Sequence, residues 1–180
     1  MPIKINTLLD FTQSDAEGSD LRSETRKIGT GSILWKHKLS PKWTYELGIR
    51  QELTDTYESP LLFSAGTIFN VNNFYLIKAN LSKNFRIPTF NDLYWQGSGN
   101  QDLNPEHSIQ GEIGNELNYK NSKLVITGFL IKLKDMIRWI PNSNGLWQPE
   151  NTQSVSNYGL EIQFETKKSI DKHLFSFTSG

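Results

Sequence analysis

Cysteine is absent from the 180-residue chain, so disulfides, thiolate catalysis and cysteine-based zinc sites are excluded. Net charge is absent as well. The 19 basic residues balance 19 acidic ones, which argues against a nucleic-acid binder, a class that normally carries a basic face. No run is long and apolar enough for a membrane helix. The best candidate, Leu124–Leu133, is about half of the ~20 residues required and contains Thr127, Gly128 and Lys132. Apolar residues make up only 36% of the chain while aromatics reach 12%, a balance that suits a one-sided β-surface better than a thick core.

What is present is alternation with period two. Trp43, Tyr45, Leu47 and Ile49 share one face, opposite Thr44, Glu46, Gly48, Arg50 and Glu52. Tyr75, Ile77, Ala79 and Leu81 oppose Lys78, Asn80, Ser82 and Asn84, and Tyr158, Leu160, Ile162 and Phe164 oppose Gly159, Glu161, Gln163 and Glu165. Leu61, Phe63, Ala65, Thr67 and Phe69 form a similar stripe, broken by Leu62 and Ile68 on the polar side. In the 123–139 segment Val125, Thr127, Phe129, Ile131 and Leu133 are assigned to the apolar face, diluted by Leu124, Ile126 and Leu130. Asn104-Pro105-Glu106 reads as a helix start, with Ile109, Ile113 and Leu117 at helical spacing. Gly111 and Gly114 would each cost such a helix about 1 kcal/mol, and the same segment also satisfies period two, so a strand is expected.

The expected fold is all-β: an antiparallel up-and-down meander of about nine strands over Ile3–Phe11, Glu24–Lys38, Lys42–Thr54, Leu61–Phe69, Asn73–Phe85, Ser108–Tyr119, Lys123–Trp139, Ser154–Thr166 and Lys172–Ser179. All seven prolines fall outside these interiors. The links alternate. Short ones lie at 39–41, 70–72, 120–122 and 167–171, and long ones at Thr12–Ser23, Asp55–Pro60, Arg86–His107 and Ile140–Gln153. Tight turns on one edge and long loops on the other are the pattern of outer-membrane barrels. In such a barrel the apolar face meets lipid and the sheet closes because lipid offers no hydrogen-bond partners. Gly48, Gly66, Gly114, Gly128 and Gly159 are assigned to the inner face, and Trp35, Trp43, Tyr75 and Tyr119 to an interfacial girdle.

Ser82-Lys83-Asn84-Phe85-Arg86-Ile87-Pro88-Thr89-Phe90-Asn91-Asp92-Leu93-Tyr94 resembles a signature of TonB-dependent receptor barrels. Gly99-Asn100-Gln101-Asp102-Leu103-Asn104-Pro105-Glu106 resembles the family's following Gly-Asn-Pro-Asn-Leu-x-Pro-Glu phrase, with Gln101 for Pro and Asp102 for Asn. Glu112-Ile113-Gly114, Asp135-Met136-Ile137 and Asn157-Tyr158-Gly159-Leu160-Glu161 follow in the family's order. The match is good over about Leu76–Phe164, and is similar to cobalamin-receptor-like and siderophore-receptor-like branches. The resemblance implies residues 1–180 are part of a barrel of about 22 strands, without the N-terminal plug domain or the closing C-terminal strand. It implies residence in the outer membrane of a Gram-negative bacterium. It also implies TonB-energised uptake, through the plug, of a ferric siderophore, cobalamin or another small molecule. The opening Met1-Pro2-Ile3-Lys4 carries no secretory signal, which fits a chain that starts inside a longer protein.

The same resemblance places Phe85, Arg86, Pro88, Leu93, Tyr94, Leu103, Pro105 and Glu106 in a motif loop, with Arg86 pinning it to Asp92 or Glu106. Ligand contacts are expected on loops, from Tyr94, Trp95, Gln96 and Asn100, and from Trp139, Asn142, Asn144, Trp147 and Asn151, where aromatics flanked by amides stack on a ring and hydrogen-bond its rim. The bland reading of the same residues is that they pack the loops against each other. Glu46, Arg50, Glu52, Glu112, Glu116 and Glu161 are expected to face the lumen, either toward a plug or simply solvated. His37, His107 and His173 are isolated, so no metal site or cofactor is expected. Enzymatic activity is not expected either, since no nucleophile elbow or phosphate loop occurs. A soluble β-sandwich carbohydrate-binding module is the alternative. It would bury its apolar faces and need no detergent.

Overall fold

The computed structural model describes residues 2–170 and 173–180. Its strands are β1 (Ile3–Gly18), β2 (Leu21–Lys38), β3 (Trp43–Thr54), β4 (Leu62–Asn70), β5 (Tyr75–Arg86), β6 (Glu106–Tyr119), β7 (Ser122–Pro141), β8 (Trp147–Ile170) and β9 (His173–Ser179). One short helix, α1 (Phe90–Tyr94), lies between β5 and β6. The nine strands form one open antiparallel sheet in chain order. Ile109–Leu117 is strand throughout.

Register converts local alternation into two continuous faces. Across the sheet, Trp35, Leu47, Ala65, Leu81, Gly111, Leu130 and Tyr158 are successive cross-strand neighbours. The adjacent row on the other face runs Lys36, Glu46, Gly66, Asn80, Glu112, Phe129 and Gly159. Among the described residues nothing covers the apolar face: Tyr158 is 76% exposed and Leu160 66%, and apart from two prolines the buried apolar residues are Leu62, Leu93, Leu103 and Ile137. A soluble monomer rarely shows a contiguous apolar patch beyond a few hundred Å². There is no second sheet among the described residues, which removes the sandwich. Trp35, Trp43 and Tyr119, expected in a girdle, are exposed near the tight-turn edge, where the indole N–H of Trp43 donates to Thr67 Oγ1 (2.8 Å) and the Tyr75 hydroxyl donates to Asn115 Oδ1 (2.7 Å).

Five expectations need correction. Thr12–Ser23 is not a long loop: both strands run on to a tight turn at Ser19-Asp20. Ile140–Gln153 is likewise mostly strand, with only 142–146 between β7 and β8, so Trp139, Trp147 and Asn151 stand on strands and Pro149 lies inside one. The face assignment of β7 is reversed: Leu124, Ile126, Gly128 and Leu130 join the apolar face, while Val125, Thr127, Phe129 and Ile131 join the polar one. Both faces of β7 are apolar, so alternation there carries no sign, and only pairing with β6 sets it. The long link 87–105 also holds a helix that the sequence reading lacked. The turn predicted over 167–171 is partly β8, and residues 171–172 lie outside those described.

Phe129 shows why the reversal is accommodated. It lies on the polar face beside Gly159, and a Cβ on Gly159 would come within 2.8 Å of the Phe129 ring. The missing side chain is the space the ring occupies. Gly159→Val should therefore destabilise the sheet by about 1–3 kcal/mol, the usual cost of overpacking. Adding Phe129→Ala should cancel much of that loss, so chemical denaturation of the two single variants and the double should give a non-additive cycle.

Candidate functional site

The 87–105 link is an ordered knot rather than a mobile loop. Thr89 caps α1: its hydroxyl accepts the Asp92 N–H (3.2 Å), while Asp92 Oδ2 accepts from the Thr89 N–H (2.9 Å) and hydroxyl (2.7 Å). This reciprocal capping box fixes the first turn of a helix too short to stand alone. The other Asp92 oxygen accepts the indole N–H of Trp139 at 2.9 Å, tying α1 to β7. Arg86 Nε donates to Glu106 Oε2 at 2.6 Å, and its NH1 lies 4.0 Å from Asp92. Glu106 Oε1 accepts the Ile137 N–H at 2.7 Å. One guanidinium thus joins the strand before the link to the strand after it and to the helix between.

Beneath this polar layer lies a small core of Leu93, Leu103 and Ile137, with Tyr94 packed against it. Pro88 and Pro149 are fully buried. Asn100 Nδ2 donates to the Pro149 carbonyl (3.2 Å), and the Asn100 N–H donates to the Asp92 carbonyl (2.8 Å). Asn151 accepts from the Asn104 N–H (2.8 Å) and donates to the Asn104 (3.0 Å) and Asp135 (2.7 Å) carbonyls. A Cβ on Gly99 would sit 2.6 Å from both the Leu93 carbonyl oxygen and the Trp95 nitrogen, so this crossing admits only glycine. The knot also reaches back to the first hairpin. Trp95 bridges Leu21, the Gln96 N–H donates to the Asp20 carbonyl (2.9 Å), and the buried Arg26 guanidinium lies 4.7 Å over the Phe90 ring.

On the polar face of the sheet, charges are mostly paired. Glu116 accepts from Lys78 (2.8 Å) and Lys123 (3.2 Å), Glu46 from Lys36 (3.4 Å), Glu52 from Arg50 (2.6 Å), and Glu112 from Asn80 (2.5 Å). Register places Glu161 on this face beside Thr127. The six predicted wall residues therefore share one surface.

The structure sorts the ligand candidates. Asn100, Trp139 and Asn151 are committed to the knot. Asn142 organises its own turn, accepting from the Asn144 (2.9 Å) and Leu146 (3.1 Å) N–H groups. Tyr94 is half-buried against the core. The side chains left open are Trp95, at 41% exposed, Gln96, Asn144 and Trp147, at 57%. Pro149 and Ile137 belong to the knot but were not foreseen. Thr89 and Asp92 were not foreseen as a capping pair either; their three-residue spacing is the signal that marks it.

Comparison with known proteins agrees with this layout. The family described as TonB dependent receptor-like, beta-barrel, matches residues 10–179. The vitamin B12 transporter BtuB of Photobacterium profundum is 32% identical over 124 residues, 67% of this chain and 20% of that protein. BtuB of Vibrio vulnificus (strain YJ016) is 30% identical over 173 residues, 93% of this chain and 28% of that one. Among solved structures, the siderophore receptor PirA from Pseudomonas aeruginosa superposes with a TM-score of 0.81 at 15% identity, covering 98% of this chain and 37% of that one. The ferric enterobactin receptor PfeA in complex with BCV-L6 gives 0.75 at 15% identity, covering 98% and 32%. The chain thus spans between 20% and 28% of the length of these curated relatives.

If Asp92 joins cap, helix and β7 as described, Asp92→Ala should release the knot without unfolding the sheet. Asp92 is the third residue of the helix and the N-cap Thr89 donates to it, so its loss opens the capping box, at a cost on the order of the 0.5–2 kcal/mol of a lost cap. Amide exchange at Leu93 and Asn100 should accelerate by roughly tenfold, while exchange in β5 and β6 stays unchanged.

Proposed function

Since the chain belongs to the TonB-dependent receptor β-barrel family, we propose that it forms part of the wall of an outer-membrane receptor that takes up a scarce metal chelate, cobalamin or a ferric siderophore. The observation that carries this reading is the division of one sheet into an uncovered apolar face and an ion-paired polar face. Only a lipid exterior and a wet interior suit both at once. The turns at 39–42, 71–74 and 120–121 then lie on the periplasmic side, and the knot with the β1–β2 and β7–β8 hairpins outside the cell. Glu46, Arg50, Glu52, Glu112, Glu116 and Glu161 face the lumen, where a plug domain occupies the complete receptor and couples it to TonB.

Cobalamin is the first ligand to test, because the curated relatives are named as vitamin B12 transporters. Trp95, Gln96, Asn144 and Trp147 are the contacts of choice: two flat aromatic surfaces and two amides, exposed on the extracellular side and not consumed by internal bonds. Arg86, Asp92, Glu106, Trp139 and Asn151 hold the supporting frame.

Two measurements test the reading. Leu160→Arg, in the middle of the apolar face, should lower the stability of the complete receptor by about 2–4 kcal/mol in lipid, whereas Gln163→Arg on the opposite face should be close to neutral. Equal effects would refute the assignment of faces. Trp95→Ala and Trp147→Ala should each weaken binding of cyanocobalamin or ferric enterobactin by roughly threefold to tenfold, the value of one lost aromatic stack. Unchanged affinity for both probes in both variants would remove these residues from the site.

A further inference from the structure

The apolar face changes character along one row. Lys83 on β5 neighbours Ile109 on β6, which neighbours Lys132 on β7. Two residues nearer the loop edge, Lys134 neighbours His107. With strands about 4.8 Å apart and residues about 3.3 Å along a strand, Lys83 and Lys132 stand roughly 10 Å apart, and Lys134 about 7 Å from Lys132. Lys83 is half-buried and the other two are exposed. Their ammonium groups make no ion pair or hydrogen bond among the described residues, whereas Lys36, Lys78 and Lys123 on the opposite face each pair with a carboxylate. The nearby acids make no ion pair with them among the described residues: Glu150 lies opposite Arg138, and Asp135 sits at a positive-φ break in the β7–β8 pairing.

Directly below these cations lies a trough of about 890 Å³. Its floor is Ala65, Ala79, Gly111 and Gly128, and its walls include Leu47, Leu81, Ile113, Leu130 and Tyr158. Gly111 is two residues from Ile109, and Leu130 two from Lys132, so trough and cations adjoin. Uncompensated positive charge at the upper rim of an apolar groove complements an amphiphile with an anionic head and hydrocarbon tails.

We propose that this surface is a docking site for a phosphorylated, multiply acylated lipid of the outer leaflet. Lys83, Lys132 and Lys134 hold its phosphates and the trough takes an acyl chain. The inference rests on the reading that this face meets lipid.

The test uses the complete receptor in detergent, with lipid A, lipid A stripped of its phosphates, and phosphatidylcholine as probes, and bound lipid counted by native mass spectrometry. Gel mobility without boiling is followed in parallel as the mark of a closed barrel. Lipid A should bind in preference to the other two. Replacing all three lysines with Gln should weaken it by about a hundredfold, at about fivefold per lysine. Gly128→Leu should fold normally, since an added Cβ meets nothing within 4 Å, and should weaken lipid A severalfold by filling the trough. A compact barrel that binds both forms of lipid A equally, or that is indifferent to the lysine changes, would overturn the docking site and leave the membrane reading intact. A protein with no compact unboiled form would sink both.

Discussion

The structure depends on one constraint: the pairing register between neighbouring strands. Side chains alternate with a period of two, so a slip of one residue would exchange every outward group for an inward one. Within a single strand the preference is modest. Carried across β1–β9 it is collective, because each ladder row must match its neighbours on both sides. The apolar row from Trp35 to Tyr158 and the polar row from Lys36 to Gly159 are two readings of the same hydrogen-bond ladder. Ion pairs such as Lys78–Glu116–Lys123 act on this level. Exposed pairs add little stability singly, but a slipped register would place their charges on the apolar face.

Membrane crossing takes about 9–11 residues of tilted strand. β7 has 20 residues and β8 has 24, so both run well past the apolar belt on the loop edge. The belt ends on that side at the row of Lys83, Ile109 and Lys132. On the membrane reading both faces meet water beyond it, and the two-faced pattern no longer enforces order. Order there comes instead from the knot, which gathers polar donors, two buried prolines and a small apolar core around α1. The molecule thus uses two kinds of cohesion, periodic in the belt and irregular above it.

This division also explains what the sequence disclosed. The strands of the belt were legible, with their faces, in β3, β5 and β8, because lipid and water demand opposite residues. β7 was legible as a strand but not in its orientation, since Val125, Phe129 and Ile131 are as apolar as Leu124, Ile126 and Leu130; pairing with β6, a contact between strands, sets its faces. The outer ends of β1, β2, β7 and β8 were misread as loops because, beyond the belt, a strand needs no alternation. Pro149 escaped for a related reason: it sits where β8 has left the belt and serves the knot, with its carbonyl accepting from Asn100.

The candidate site was legible as a location but not as a division of labour. Aromatics and amides in the same segments serve opposite purposes, and composition cannot separate them. Trp139 and Trp147 are eight residues apart on one hairpin, yet the Trp139 indole N–H is spent on Asp92 while Trp147 stands 57% exposed. Asn151 fills its hydrogen-bonding capacity with backbone groups of two segments, whereas Asn144 is exposed at the hairpin tip. A side chain whose donors and acceptors are already satisfied gains little from a ligand and loses its frame by turning to one. On the proposed reading, recognition therefore falls to the groups the knot leaves over. The rigidity of the knot is what allows so few of them to serve, since a ligand that meets pre-ordered side chains need not supply the entropy of ordering them.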